Sequence, residues 1–246
     1  MSLNVQKIKE RFEQLKNPNR GSSMNFLKLE EGKTVVRILP TEDGDPFKSL
    51  YIHYGVSHEG LLCPKANFGE SCAICDFVSR LFSDGTEESK EQAKSLMKKQ
   101  RFFSPVLIRG KEELGPKIWS FSKTIYEYLL KAMLDPENGD ITDVKTGIDI
   151  ELEYVKKAGK RFADTIPSLK RKTSVLFKDM DEQSMSEFLN KIPDMNKLFK
   201  TSSSKEIKQA LDLFLNPEFL ESSPSNGETD NSSKSAVDVV LEELNK

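Results

Sequence analysis

Every soft metal ligand in this chain lies in one short window. Cys63, Cys72 and Cys75 fall within thirteen residues of one another, and the only two histidines, His53 and His58, stand just upstream. An odd number of thiols cannot all pair as disulfides, whereas a Cys-x2-Cys pair with one further Cys and one His is the Cys3His set that closes a tetrahedral shell around Zn2+. A closed shell leaves no coordination position for water, so the expected ion is one structural zinc. Either histidine can complete the set. The ligands enclose a small subdomain, about residues 53–82.

Composition excludes several classes. Hydrophobic residues make up 37% and charged residues 31% of the 246 positions, as in ordinary globular proteins. No apolar run approaches the ~18 residues of a membrane-spanning helix. The start, MSLNVQKIKERFEQLK, is amphipathic and charged, unlike a secretory signal. Clustered reduced thiols fit a cytoplasmic setting.

The net charge of −2 hides a segregation. Residues 217–246 hold seven acids against Lys234 and Lys246, a balance of −5, which leaves +3 on the rest. Residues 90–131 carry ten Lys/Arg against four acids, and residues 154–178 carry eight against Asp164 alone. A basic body with an acidic tail suits a polyanionic partner for which the tail can compete, although solvated helix faces would have the same composition.

Residues 3–16 place Ile8, Phe12 and Leu15 at helical spacing among lysines, and Asn17 to Ser23 breaks the pattern. Residues 1–20 are therefore expected to form an amphipathic basic arm, packed on its own domain or on a second copy. Five strands are expected within Thr34–Leu39, Pro46–Tyr54, Arg101–Ile108, Lys117–Ser122 and Ile148–Val155. Helices are expected after Cys75, over residues 86–100, Lys123–Leu134, Asp181–Lys191 and Ser204–Leu215. This inventory predicts a mainly β protein with added helices (α+β), a five-stranded OB-type barrel over residues 21–216, though an open five-stranded sheet satisfies the same count. Residues 217–246 begin Ser-rich and polar and end in a short acidic-apolar motif, the composition of a flexible tail.

Unspecific binding of a single strand needs cations for phosphates and flat rings for bases. Lys98, Lys99 and Arg101 directly precede Phe102 and Phe103, and Trp119 and Phe121 alternate between Lys117 and Lys123. Strand alternation predicts that one of Phe102 and Phe103 is buried and the other available, with core burial the competing use for all these rings. Lys170-Arg171-Lys172, followed by Thr173 and Ser174, suits phosphate contact by charge and hydrogen bonding. No Gly-rich phosphate loop is present. Both histidines lie in the metal window, so no catalytic base remains, and no deaminase-type His-x-Glu pairs with Pro-Cys-x-x-Cys. The chain is not expected to be an enzyme.

Taken in order, Val35-Val36-Arg37-Ile38-Leu39-Pro40, Pro46-Phe47, Ile52-His53-Tyr54-Gly55, Cys63 and Glu70-Ser71-Cys72-Ala73-Ile74-Cys75-Asp76-Phe77-Val78-Ser79 resemble the helix-destabilising, single-stranded DNA-binding proteins of T-even bacteriophages. The similarity runs from about Met24 to Pro217. It implies zinc on His53, Cys63, Cys72 and Cys75, with His53 preferred over His58 by its context. It implies a DNA cleft lined by Lys98, Lys99, Arg101, Phe102 and Phe103, with Trp119 in place of a tyrosine, and by looser matches at Phe162 and Arg37. It further implies head-to-tail self-association through the arm and recruitment of phage replication and recombination proteins by the tail. One departure stands out: the family's basic-then-hydroxyl motif occurs in its arm, whereas here the close match is Lys170 to Ser174.

The expected function is cooperative, sequence-unspecific coating of single-stranded DNA in phage replication, recombination and repair, in the cytoplasm of an infected bacterium. Stacking would quench Trp119 fluorescence. The alternative is a zinc-containing adaptor that binds only proteins and carries its basic surface incidentally.

Overall fold

In a computed structural model, residues 26–57, 60–156, 159, 163–178, 180–197 and 201–216 are described. The arm (1–20), His58, Phe162 and the tail (217–246) lie outside them. The chain runs β1 (Gly32–Ile38), β2 (Lys48–His53), β3 (Leu61–Leu62), α1 (Pro64–Phe68), α2 (Ala73–Asp84), α3 (Glu87–Leu96), β4 (Lys99–Ile108), β5 (Lys117–Phe121), α4 (Lys123–Leu134), β6 (Ile148–Val155), β7 (Asp164–Thr173), α5 (Glu182–Leu189) and α6 (Ser204–Leu215). No helix among the described residues is long and apolar enough to cross a membrane.

The strands pair in the order β3-β2-β4-β1-β6-β7, with β5 also on β4. This corrects the five-stranded barrel: the sheet has seven strands, and among the described residues no pair closes it. The five expected strands are all present, and β3 and β7 are additional. The chain forms two compact units. β4 belongs to both, pairing with β2 through its first half and with β1 through its second.

The first unit takes in the described residues to Pro46, Ser104–Ser120 and Glu137–Pro193. Here β1 is antiparallel to β4 and β6, and β6 to β7. Alternation sends Val36, Ile150 and Leu152 to one buried face, and Lys33, Arg37, Asp149, Glu151 and Glu153 to the other. Part of this second face is also covered. Leu39 and Leu107 meet Leu176 and Phe188 there, with Met185, Leu189 and Ile192 of the α5 region packed against them. Asp181 starts α5 by accepting from the Ser184 N–H at 2.8 Å, a side-chain N-cap.

The second unit comprises Phe47–Phe103, Phe121–Pro136 and the described residues from Asp194. Its core is Ile74 and Val78 of α2, Ala93 and Leu96 of α3, and Ile207, Ala210 and Leu211 of α6, together with Cys63 and Cys72. Spacings of three or four residues put each set on one helix face. Thr86 caps α3, and Ser203 with Glu206 forms a capping box on α6. The expectation for Phe102 and Phe103 fails here: alternation turns them to opposite sides, yet both are buried, at 4% and 1% exposure. β4 is covered on both faces, so alternation does not separate core from surface.

Candidate metal centre and nucleic-acid interface

The metal window folds around one point. β2 and β3 form a hairpin with His53 opposite Leu61, and the Cys63 N–H donates to the Tyr51 carbonyl at 2.9 Å. The turn passes through Gly60 at φ +78°, where a Cβ would lie 2.7 Å from Ile52 Cγ2 and 3.0 Å from the Tyr54 ring. Only glycine fits that approach. Asn67, which the sequence reading missed, then fastens α1 to β2: its Oδ1 accepts from the Tyr51 N–H at 3.0 Å, and its Nδ2 donates to the carbonyls of Tyr51 at 2.7 Å and Cys63 at 2.9 Å. Its only sequence signal is an asparagine four residues after a ligand cysteine. Cys72 sits at the N-cap of α2, and Cys75 one turn in.

The four donor atoms of His53, Cys63, Cys72 and Cys75 lie within 4.8 Å of one another. His53 Nε2 is 3.5 Å from both Cys72 Sγ and Cys75 Sγ, and Cys63 Sγ is 3.5 Å from Cys75 Sγ. Zinc–sulfur bonds of about 2.3 Å in a tetrahedron set sulfurs about 3.8 Å apart, so the group fits one such ion. His53 Nδ1 lies 2.8 Å from the Leu96 carbonyl, which can only accept. The proton is therefore on Nδ1, and Nε2 presents its lone pair to the sulfurs. Hydrogen bonding from Cys72, helped by the Ala66 N–H, pulls the Cys63 thiol down to about 3. The Cys72 thiol is pushed up, first by its bond to the Cys63 sulfur and then by burial, and burial pushes up Cys75. The protein alone thus favours one thiolate of three, and a divalent ion is what lets the other two ionise.

The expected DNA residues divide by burial. Arg37 is fully buried, and its guanidinium donates to Asp149, Ser174 and the Asp143 carbonyl, so it is an internal tie with no donor directed to solvent phosphate. Phe102, Phe103 and Trp119, at 2% exposure for the last, are core rings. Direct stacking on Trp119, and the quenching expected from it, have no accessible face in this structure. In the second unit Lys99 and Lys123 are exposed and Lys98 half-buried, and Lys123 stands 3.6 Å from Glu127. Lys98 lies near enough to Cys75 to favour its thiolate, and Arg101 bonds the Tyr54 hydroxyl, whose pKa is raised by burial and lowered by that arginine. In the first unit, Arg171 and Lys172 are exposed on β7.

Lys170 is different. It and Lys33, at 2.8 Å, converge from the two flanking strands on Glu151. The lysine contacts, Lys170 first, hold the Glu151 carboxyl down to about 2 against an ordinary value of 4.5. The ladder's stabilisation is therefore complete above about pH 4.5 and lost only as pH falls toward 2. Any phosphate bound by either lysine would have to compete with Glu151. Glu151→Gln should accordingly tighten binding to an oligonucleotide, by a factor of about 2–5 at low salt, and steepen its salt dependence. Filter-binding isotherms across a salt series would measure both.

The fold and centre together define a mixed α+β protein with an antiparallel sheet and a Cys3His cluster able to hold one metal ion. Residues 30–216 match the family described as gp32 DNA binding protein like, and the chain belongs to that family. No curated protein matches it.

Proposed function

We propose that this chain binds single-stranded DNA without strong sequence preference, protecting it and lowering duplex stability during phage replication, recombination and repair. Membership of a DNA-binding family over residues 30–216 carries this reading. The cations Lys98, Lys99, Lys123, Lys170, Arg171 and Lys172, all at least partly solvent-exposed, support it. Their role is to neutralise phosphates. Duplex destabilisation needs no chemistry: a ligand of the unpaired form alone shifts melting by mass action. His53, Cys63, Cys72 and Cys75 would hold the zinc, which supplies a cross-link between β2, α1 and α2. The arm (1–20) is assigned to self-association along the strand and the acidic tail (217–246) to phage protein partners, both from composition and resemblance. The setting is the host cytoplasm.

A poly(dT) titration across a salt series tests the reading. If each of the six cations neutralises one phosphate, log K falls against log[salt] with a slope of about −4. A flat salt response, or equal affinity for duplex, would refute it and favour the protein-binding adaptor.

A further inference from the structure

Phe102, expected to stack on bases, is buried because another ring lies over it. Tyr126, on the first turn of α4, is parallel to Phe102, with centroids 4.0 Å apart and planes at 15°. Phe47 meets Tyr126 edge-on at 5.3 Å, and Phe121 is also near-parallel to Phe102, at 6.3 Å. Within this four-ring cluster Phe47, Phe102 and Phe121 are 9%, 4% and 2% exposed, and only Tyr126 is half-buried. Tyr126 is therefore the ring of the four that reaches solvent most.

Polar groups frame it. Ser49 is the cross-strand partner of Phe102, and Gln100 precedes Phe102 by two, so both project on the same side of the β2–β4 ribbon as that ring. Gln100 Nε2 donates to Ser49 Oγ at 2.8 Å, which orients the carboxamide and keeps its carbonyl oxygen available as an acceptor. Lys123, one turn before Tyr126, is 71% exposed.

We propose that Tyr126 is a nucleobase-stacking residue, with Gln100 and Ser49 placed at the edge of the base or its sugar and Lys123 at the adjoining phosphate. This rests on the single-strand reading and adds a subsite to it. A ring held parallel by a buried ring behind it is already oriented, so a base docking on it orders no side chain. Stacking accepts any base, because every base has a π-face.

The test uses the full chain and fluorescence anisotropy with labelled oligo(dT), over a salt series, on wild type, Y126F, Y126L and Y126A. Y126L and Y126A should weaken binding by about tenfold or more, with an unchanged salt slope, since no counterion is displaced by stacking. Y126F should bind as wild type does. Y126L preserves apolar cover for Phe102, so it carries the result if Y126A unfolds. Wild-type affinity in Y126L, with wild type itself binding, overturns the stacking role alone. A loss in Y126F equal to that in Y126L places the effect in the hydroxyl and overturns it too. Absence of binding by wild type overturns the single-strand reading, and this subsite with it.

Discussion

If the Cys3His centre holds zinc as proposed, stripping it from the full chain with a strong chelator is expected to cost about 5 kcal/mol or more of folding stability, since the free energy of closing a structural zinc site is itself folding free energy. For a chain of this size that corresponds to a fall of about 10–20 °C in melting temperature. The reason is where the ligands sit. Cys63, Cys72 and His53 are fully buried, and the two cysteines belong to the same apolar cluster as Ile74, Val78, Ala93, Leu96, Ile207 and Leu211. Without an ion, three sulfurs and a ring nitrogen converge in that core on one another at 3.5 Å, with the Ala66 N–H donating to Cys63 Sγ at 3.4 Å. The surrounding helices still bury their apolar faces, so loosening should concentrate at residues 53–82 and spare β6 and β7. Amide hydrogen exchange with and without chelator measures this directly. Added Zn2+ should restore protection, and Cys75→Ser should reproduce the chelated state. Unchanged exchange in protein shown to be metal-free would rule out the structural role. DNA affinity should fall alongside, because α3 leads directly into Lys98 and Lys99.

The convergence of His53, Cys63, Cys72 and Cys75 was legible because metal-ligand chemistry is carried by rare residues: three thiols and two imidazoles leave few combinations. α4 and α6 were legible for a different reason, a clean helical period, and the structure begins and ends both at the expected residues. β7 was not. Its sequence DTIPSLKRKT contains Pro167 and three consecutive cations, which read as a solvated loop, but as the last strand of the sheet it needs to pair only on one side. α1 is five residues long and too short for any period to show. The aromatic-basic pattern misled in one respect. Adjacency in sequence placed Phe102, Phe103 and Trp119 beside cations, yet what decides exposure is the covering layer, and Tyr126 lies more than twenty residues away from Phe102 along the chain. Arg37 misled similarly: one arginine in an apolar strand reads as a surface cation, and nothing local reveals that its partner is Asp149.

Arg37→Met is expected to destabilise the protein by about 3–5 kcal/mol, and Asp149→Ala by at least as much. Arg37 is fully buried, and burial lowers its pKa while Asp149 opposes that shift. Its Nε donates to Asp149 Oδ1 at 2.8 Å and its Nη2 to Ser174 Oγ at 2.6 Å. Arg109 completes the network, donating to Asp149 Oδ2 at 3.1 Å, Ser174 Oγ at 3.0 Å and the Val175 carbonyl at 2.7 Å. Removing Arg37 takes away the donors it supplies to Asp149 Oδ1 and the carbonyls of Asp143 and Ser174, although Arg109 still donates to Asp149 Oδ2 and Ser174 Oγ. Removing Asp149 is worse, because two guanidiniums that already repel each other lose their shared counterion. The two substitutions should therefore be far from additive, and a double-mutant cycle by urea denaturation would give a coupling of about 1–3 kcal/mol. Additive effects would mean that the pair is not the source of the loss. The network also reaches function. Ser174 to Leu176 lie just beyond Lys170-Arg171-Lys172, after Thr173, and are held to the sheet by these two arginines. A variant that frees this segment should lose phosphate contacts as well as stability, which would appear as a shallower salt slope in DNA binding under conditions where the protein remains folded. Arg37, expected to touch DNA itself, would then act on it only by positioning the cations of β7.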